Sequence, residues 1–218
     1  MRRYRTGLVY YSLLFLATVF LLSCFKNLTQ SNIIYTNNFE DSNISHLYVS
    51  GFNNGIFGPV SDTRISDFNG THVLGKLNSS LVSLYKGKLP SHDVLRVEFD
   101  LYLHDKWKND LWKLVIDGSD QLLTGFSNDS TVQQAYPNWL GNGSSMGPAG
   151  RDAANINLPG ACSLSGSLRG TSLYRIIRTI PHSGEEIRIS CSDAGNFFND
   201  TCQRSWSIDN LKVSVFKN

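Results

Sequence analysis

The sequence is poor in the residues from which most enzymes and metal proteins build their sites. Only four cysteines occur in 218 residues, at 24, 162, 191 and 202, and none stands in a CxxC, which excludes a zinc ribbon and a thioredoxin-like dithiol. The five histidines (His46, His72, His92, His104 and His182) are scattered without ligand spacing. No HExxH, GxSxG or GxGxxG is present, so zinc proteolysis, serine hydrolysis and dinucleotide binding have no carrier. No Lys/Arg cluster falls on a strand-like or helix-like stretch, which removes nucleic acid as a partner. Helical periodicity is missing too: no window beyond about a dozen residues joins 3.6-residue spacing to a cap.

What is present starts with a leader. Arg2, Arg3 and Arg5 precede the uncharged apolar run GLVYYSLLFLATVFLLSC, residues 7 to 24. A charged stretch followed by an apolar one is the pattern of a signal segment and lies outside the fold. Three readings are open. Leu21-Leu22-Ser23-Cys24 resembles a lipoprotein processing site, with Cys24 lipid-modified. Alternatively the segment is a plain cleaved signal, or an uncleaved anchor just long enough to span hydrocarbon with its arginines on the cytoplasmic side. Each delivers the remainder outside the cytoplasm, tethered to a membrane or secreted. The expected division is therefore a signal or anchor over 1–24, a polar linker over 25–35 and one domain over 36–218.

Without the leader's three arginines, 17 basic residues face 18 acidic ones, so the basicity belongs to the leader. An oxidising compartment permits disulfides. Cys191 with Cys202 is the expected pair, stapling SDAGNFFNDT between two strands, while pairings through Cys162 stay open. Sequons at Asn27, Asn43, Asn69, Asn78, Asn128, Asn142 and Asn199 suit a glycoprotein, or are by-products of Asn/Ser-rich loops.

The apolar pattern of the domain has period two. Leu95, Val97, Phe99, Leu101 and Leu103 alternate with Arg96, Glu98, Asp100, Tyr102 and His104, a half-buried strand. A second strand runs over 111–117, and DGSDQ turns it into a third over 122–126. HVLGKL, LVSLYKGKLP, SLYRIIRTI, EEIRISC and SIDNLKVSVF repeat the signal, separated by Gly, Pro, Asn and Ser. Eight or so short strands predict an all-β, two-sheet antiparallel jelly-roll sandwich. Residues 127–167 break the rhythm and predict a long functional loop, ordered by Tyr136, Pro137 and Trp139.

Three groups of side chains could carry chemistry. Glu98 and Asp100 project from one strand face, as in jelly-roll glucanases whose acids follow E-x-D-x-x-E, but Leu103 fills the third position and the general acid/base is missing. Glu40 near the start and Asp209 near the end could share a calcium ion if the terminal strands are neighbours. Asp105, Asn109 and Asp110 form a weaker oxygen-rich cluster. Trp107, Tyr136 and Trp139 fall outside the alternating core positions and are the expected sugar-stacking planes, whereas Trp112 and Trp206 are expected inside.

The stretches NNFED, LPSHDVLRVEFDLYLHDKW, DLWKLVIDG, YRIIRTIPHSGEEIRI and SWSIDNLKV together resemble secreted jelly-roll domains related to concanavalin A-like lectins/glucanases and to calcium-containing carbohydrate-binding modules, over about residues 36 to 216. The resemblance implies a concanavalin A-like or galactose-binding-like sandwich. In it, Glu40 and Asp209 hold structural Ca²⁺. It departs from the pattern at Asp105-Lys106-Trp107-Lys108, where such domains carry Ser-Trp-Asp-Gly. The resulting expectation is an exported, membrane-tethered, non-catalytic domain that binds a glycan or a cell-surface protein. A degenerate glycoside hydrolase and a structural surface protein without a small ligand are the alternatives.

Overall fold

The computed structural model describes residues 30–53, 56–59, 64–139, 145–194 and 200–217. Cys24 and the leader lie outside them, as do the sequons at Asn27, Asn142 and Asn199. The described residues form thirteen strands: β1 Gln30–Asn37, β2 Leu47–Asn53, β3 Ile56–Pro59, β4 Ile65–Phe68, β5 Thr71–Leu77, β6 Ser80–Gly87, β7 Val94–Asp105, β8 Lys108–Ile116, β9 Ser119–Ser127, β10 Asn155–Pro159, β11 Leu168–Pro181, β12 Glu186–Ala194 and β13 Arg204–Lys217. Strand β1 starts at Gln30, so the expected linker over 25–35 is corrected: its second half is sheet, held by antiparallel pairing with β13.

Two antiparallel sheets stack face to face as a jelly-roll sandwich. One runs β10-β11-β7-β13-β5-β4, with β1 on the edge of β13; the other runs β3-β2-β6-β12-β8-β9. The first and last strands pair along Gln30–Asn37, which brings the Glu40 turn beside the Asp209 strand.

Alternation in β7 sends Leu95, Val97, Phe99, Leu101 and Leu103 into the interface, where they meet Trp112, Leu114 and Ile116 of β8 and Trp206 and Ile208 of β13. Trp112 and Trp206 are fully buried and meet edge to face at 6.0 Å, as the sequence predicts. Truncating either costs ~3–5 kcal/mol. Gly75 is required where β5 crosses β13, since a Cβ there would lie 1.9 Å from Ser207 Oγ. The β8–β9 turn uses Asp117 and Gly118, both at positive φ, the geometry that matches strand twist in a two-residue hairpin.

Candidate functional site

Two of the three predicted stacking aromatics belong to the core. The Trp107 ring is wholly buried, its indole N–H donating to the Ser205 carbonyl at 2.9 Å, with the Arg204 guanidinium 5.3 Å from the ring centre. Strand periodicity stops at Asp105, so Trp107 reads as a loop residue. The chain instead reverses there, and the ring closes one end of the sandwich. Tyr136 is 8% exposed, stacked on Phe126 at 4.6 Å and edge-on to Tyr174. Both expectations of an exposed plane are corrected. Trp139 stays 40% exposed.

The expected Cys191–Cys202 bridge is corrected as well. Cys162 pairs with Cys202, while Cys191 faces the interior of β12 as a free thiol that burial pushes to higher pKa. The bridge ties the 160–167 segment to the start of β13. Asp105 anchors the same segment, its Oδ1 accepting from Cys162 N (3.3 Å) and Leu164 N (2.8 Å). Asn109 and Asp110 are likewise engaged in internal contacts, Asn109 Oδ1 accepting from Ala135 N and Asp110 pairing with Arg204. Two sequon asparagines have structural duties: Asn78 Nδ2 donates to the Asp200 and Arg204 carbonyls, and Asn128 Nδ2 to those of Leu103 and Asp105. An amide nitrogen so occupied is unavailable for a glycan, whereas Asn43 and Asn69 are exposed.

Glu98 and Asp100 sit on the outer face of the seven-stranded sheet among cations. Glu98 pairs with Arg96 (3.0 Å) and Lys212 (3.7 Å); Asp100 pairs with Arg175 (3.2 Å) and accepts from Asn210 Nδ2 (3.0 Å). Beside them the predicted pair Glu40 and Asp209 does converge, on Thr71. The Thr71 hydroxyl lies 2.6 Å from Glu40 Oε1 and 3.1 Å from Asp209 Oδ2. A hydroxyl carries one proton and cannot serve two carboxylates equally. Burial, together with Asp100 and Glu40 nearby, raises the Asp209 carboxyl, while the Thr71 hydroxyl and the His72 amide lower that of Glu40. Among the described residues no group of three or more His, Cys, Asp or Glu side chains is arranged to hold a metal.

The outer face of the six-stranded sheet is built differently. A groove of about 480 Å³ is lined by Tyr48, Ser83, Tyr85, Val115, Gly118, Arg188 and Ser190. Register assembles it: Tyr48 lies opposite Ser83, Ser83 opposite Ser190, and Ser190 opposite Val115, one outward position from each of β2, β6, β12 and β8. Tyr85 and Arg188 are the next opposed pair, with the guanidinium 5.4 Å from the ring centre. Tyr48 is 66% and Tyr85 41% exposed. The turn that closes the groove is held from behind. Asp117 accepts from Arg188 N at 2.8 Å and lies 3.0 Å from His182 Nε2, and His182 Nδ1 lies 2.6 Å from the ring of His92.

Sequence reasoning missed this groove. Its signal was present, since LYVS, SLYKG and IRIS each put a tyrosine or arginine at an outward position, but nothing local says that β2, β6 and β12 are neighbours.

No protein-family model matches the chain, and no curated protein matches it. Solved structures do. CBM35 from Cellvibrio japonicus is similar at 10% identity over 87% of this chain and 99% of that one, with a TM-score of 0.37. A family 35 carbohydrate binding module from Clostridium thermocellum is similar at 9% identity over 84% and 97%, with a TM-score of 0.34. Dimeric latent PorU from Porphyromonas gingivalis is similar at 11% identity over 63% of this chain, which spans only 10% of that protein, with a TM-score of 0.38. At these values no residue role or ligand transfers. The fold rests on the strand pairing above.

Proposed function

We propose that this chain is an exported, non-catalytic carbohydrate-binding domain whose ligand lies in the groove across β2, β6, β12 and β8. The observation that carries the reading is the pairing of exposed tyrosine planes with open hydroxyls over a small-residue floor. Aromatic faces stack on the apolar faces of sugar rings, and polar groups beside them fix orientation. Glu98 and Asp100, the only acids that the sequence offered for glycoside hydrolysis, are occupied by Arg96, Lys212, Arg175 and Asn210 rather than set beside this groove. The disulfide and the leader-like 1–24 segment support an extracytoplasmic location, with the leader as signal or membrane tether.

Calcium is part of the proposal. Glu40, Thr71 and Asp209 supply hard oxygen donors, with the His72 ring 3.3 Å from Glu40 Oε2, and the one-proton deficit at Thr71 is what a cation would relieve. Bound there, it would supply charge neutralisation that ties the Glu40 turn to β13 and β5, a structural role remote from the groove.

Titration calorimetry against neutral and acidic oligosaccharides tests the reading. Tyr48→Ala, at a residue too exposed to matter for folding, weakens binding about five- to tenfold, in line with ~1 kcal/mol for an aromatic contact. Binding that ignores Tyr48→Ala and Tyr85→Ala but disappears in Trp139→Ala would move the site to the 127–167 loop.

A further inference from the structure

The groove's charges are unevenly satisfied. On the carboxylate side, Glu186 accepts from the Tyr85 hydroxyl at 2.8 Å, and Asp117 is engaged by His182 and by Arg188 N. Asp120, on edge strand β9 opposite Val115, is an exposed acid at the Val115 flank. On the cation side the balance is reversed. The Arg188 guanidinium lies 5.4 Å from the Tyr85 ring centre, and among the described residues no carboxylate lies within ion-pair distance of it or of Lys113. Arg96, Arg151, Arg175 and Arg204 have acidic partners, and Arg178 donates to the Gln121 and Ile177 carbonyls.

Lys113 and Arg188 are also placed to act together. Lys113 projects outward from β8 opposite Ser192, four residues along β12 from Arg188. At ~3.3 Å per residue the two cations stand about 13 Å apart along the strands. Between them run the Ser190 and Ser83 hydroxyls, with Tyr48 on one flank and Val115 on the other.

We propose that the groove takes a linear acidic saccharide, one anionic group paired with Arg188 at the closed end and another with Lys113 at the open end. The inference rests on the carbohydrate-binding reading and adds the ligand's charge. A planar guanidinium held over a ring offers a fork to a carboxylate or a sulfate ester, the geometry in which arginine exceeds lysine. Tyr48 and the serines contact the uncharged part of the same chain, so a neutral saccharide binds by that part alone.

The test is calorimetry on the full-length chain with three probes: a galacturonate oligomer, the same oligomer methyl-esterified, and a sulfated neutral oligomer. The expected result is that the acid binds at least tenfold tighter than its methyl ester. The preference disappears in Arg188→Gln, is partly kept in Arg188→Lys, falls in Lys113→Gln and weakens with salt. Tighter binding of the sulfated probe than of the galacturonate supports the proposal and identifies sulfate as the anion. Equal binding of acid and ester, with Tyr48→Ala weakening both, overturns the charge assignment and leaves the carbohydrate site standing. Binding of none of the probes overturns both. Unchanged melting temperatures of the variants exclude misfolding as the cause.

Discussion

The two outer faces of the sandwich differ in what their side chains are committed to. On the seven-stranded sheet the 160–167 segment that follows edge strand β10 packs against the face through Ala161. There Tyr102 packs with Phe68, Val73 and Leu158, and His104 is fully buried between Thr171 and Ser207, at 3.0 and 2.8 Å. Glu98 and Asp100 there are paired with Arg96, Lys212 and Arg175, and the Cys162–Cys202 bridge clamps the cover in place. On the six-stranded sheet nothing among the described residues lies over Tyr48, and Arg188 meets a ring rather than an acid. A covered face contributes stability, and an open face with unspent polar groups is available to a ligand. Mutations on the first should change melting and leave binding alone, and those on the second should do the reverse.

The largest effect comes from unclamping the covered face. Cys162 and Cys202 lie 40 residues apart in sequence, so Cys162→Ser with Cys202→Ser should cost ~4 kcal/mol in the chain-entropy account, read as a lowered denaturation midpoint. Saccharide affinity below the new midpoint should be unchanged; a parallel loss of affinity would couple the faces and break the comparison.

Acid attacks the same face through His104. Burial lowers its pKa to about 3, with Lys76 adding to the shift. The unfolded chain then binds a proton that the folded one refuses between about pH 6.5 and 3. Stability is therefore whole above the ordinary histidine range and falls as pH drops through that window. Urea denaturation at pH 7, 5 and 4 should show a steeper loss for the native chain than for His104→Gln, and identical slopes would remove His104 as the cause.

Calcium comes next. An ion at a hundred times its dissociation constant should add ~2.7 kcal/mol, seen as a melting shift on calcium addition that chelator reverses and Asp209→Asn abolishes. A chain whose melting ignores calcium has no such ion. The smallest effect sharpens the contrast between loop and groove: Trp139→Ala, at a ring 40% exposed, should change stability by less than ~1 kcal/mol and leave saccharide affinity intact.

Much of the architecture was legible before folding. The alternation in β7, β8, β9 and β13 identified strands, and Trp112 and Trp206 were correctly read as core because they share parity with Leu114 and Ile208. The convergence of Glu40 and Asp209 was also legible, because antiparallel pairing of the first and last strands is a topological expectation. The short strands β2, β3, β4 and β10 were not, since four to seven residues cut by Gly, Pro and Asn give too few repeats of the period. Trp107, Tyr136 and the disulfide were misread for one reason: in connecting segments parity carries no information, and burial there depends on which loop lies over which sheet end.

The sequence alone determined the all-β class, because a period-two pattern has one low-energy backbone answer, and it determined that hydrolytic motifs are missing. Tertiary structure decided which outward residues became neighbours. Tyr48, Ser83, Ser190 and Val115 form one row only because β2, β6, β12 and β8 are adjacent in register, and strand order follows from long-range pairing that no local stretch encodes.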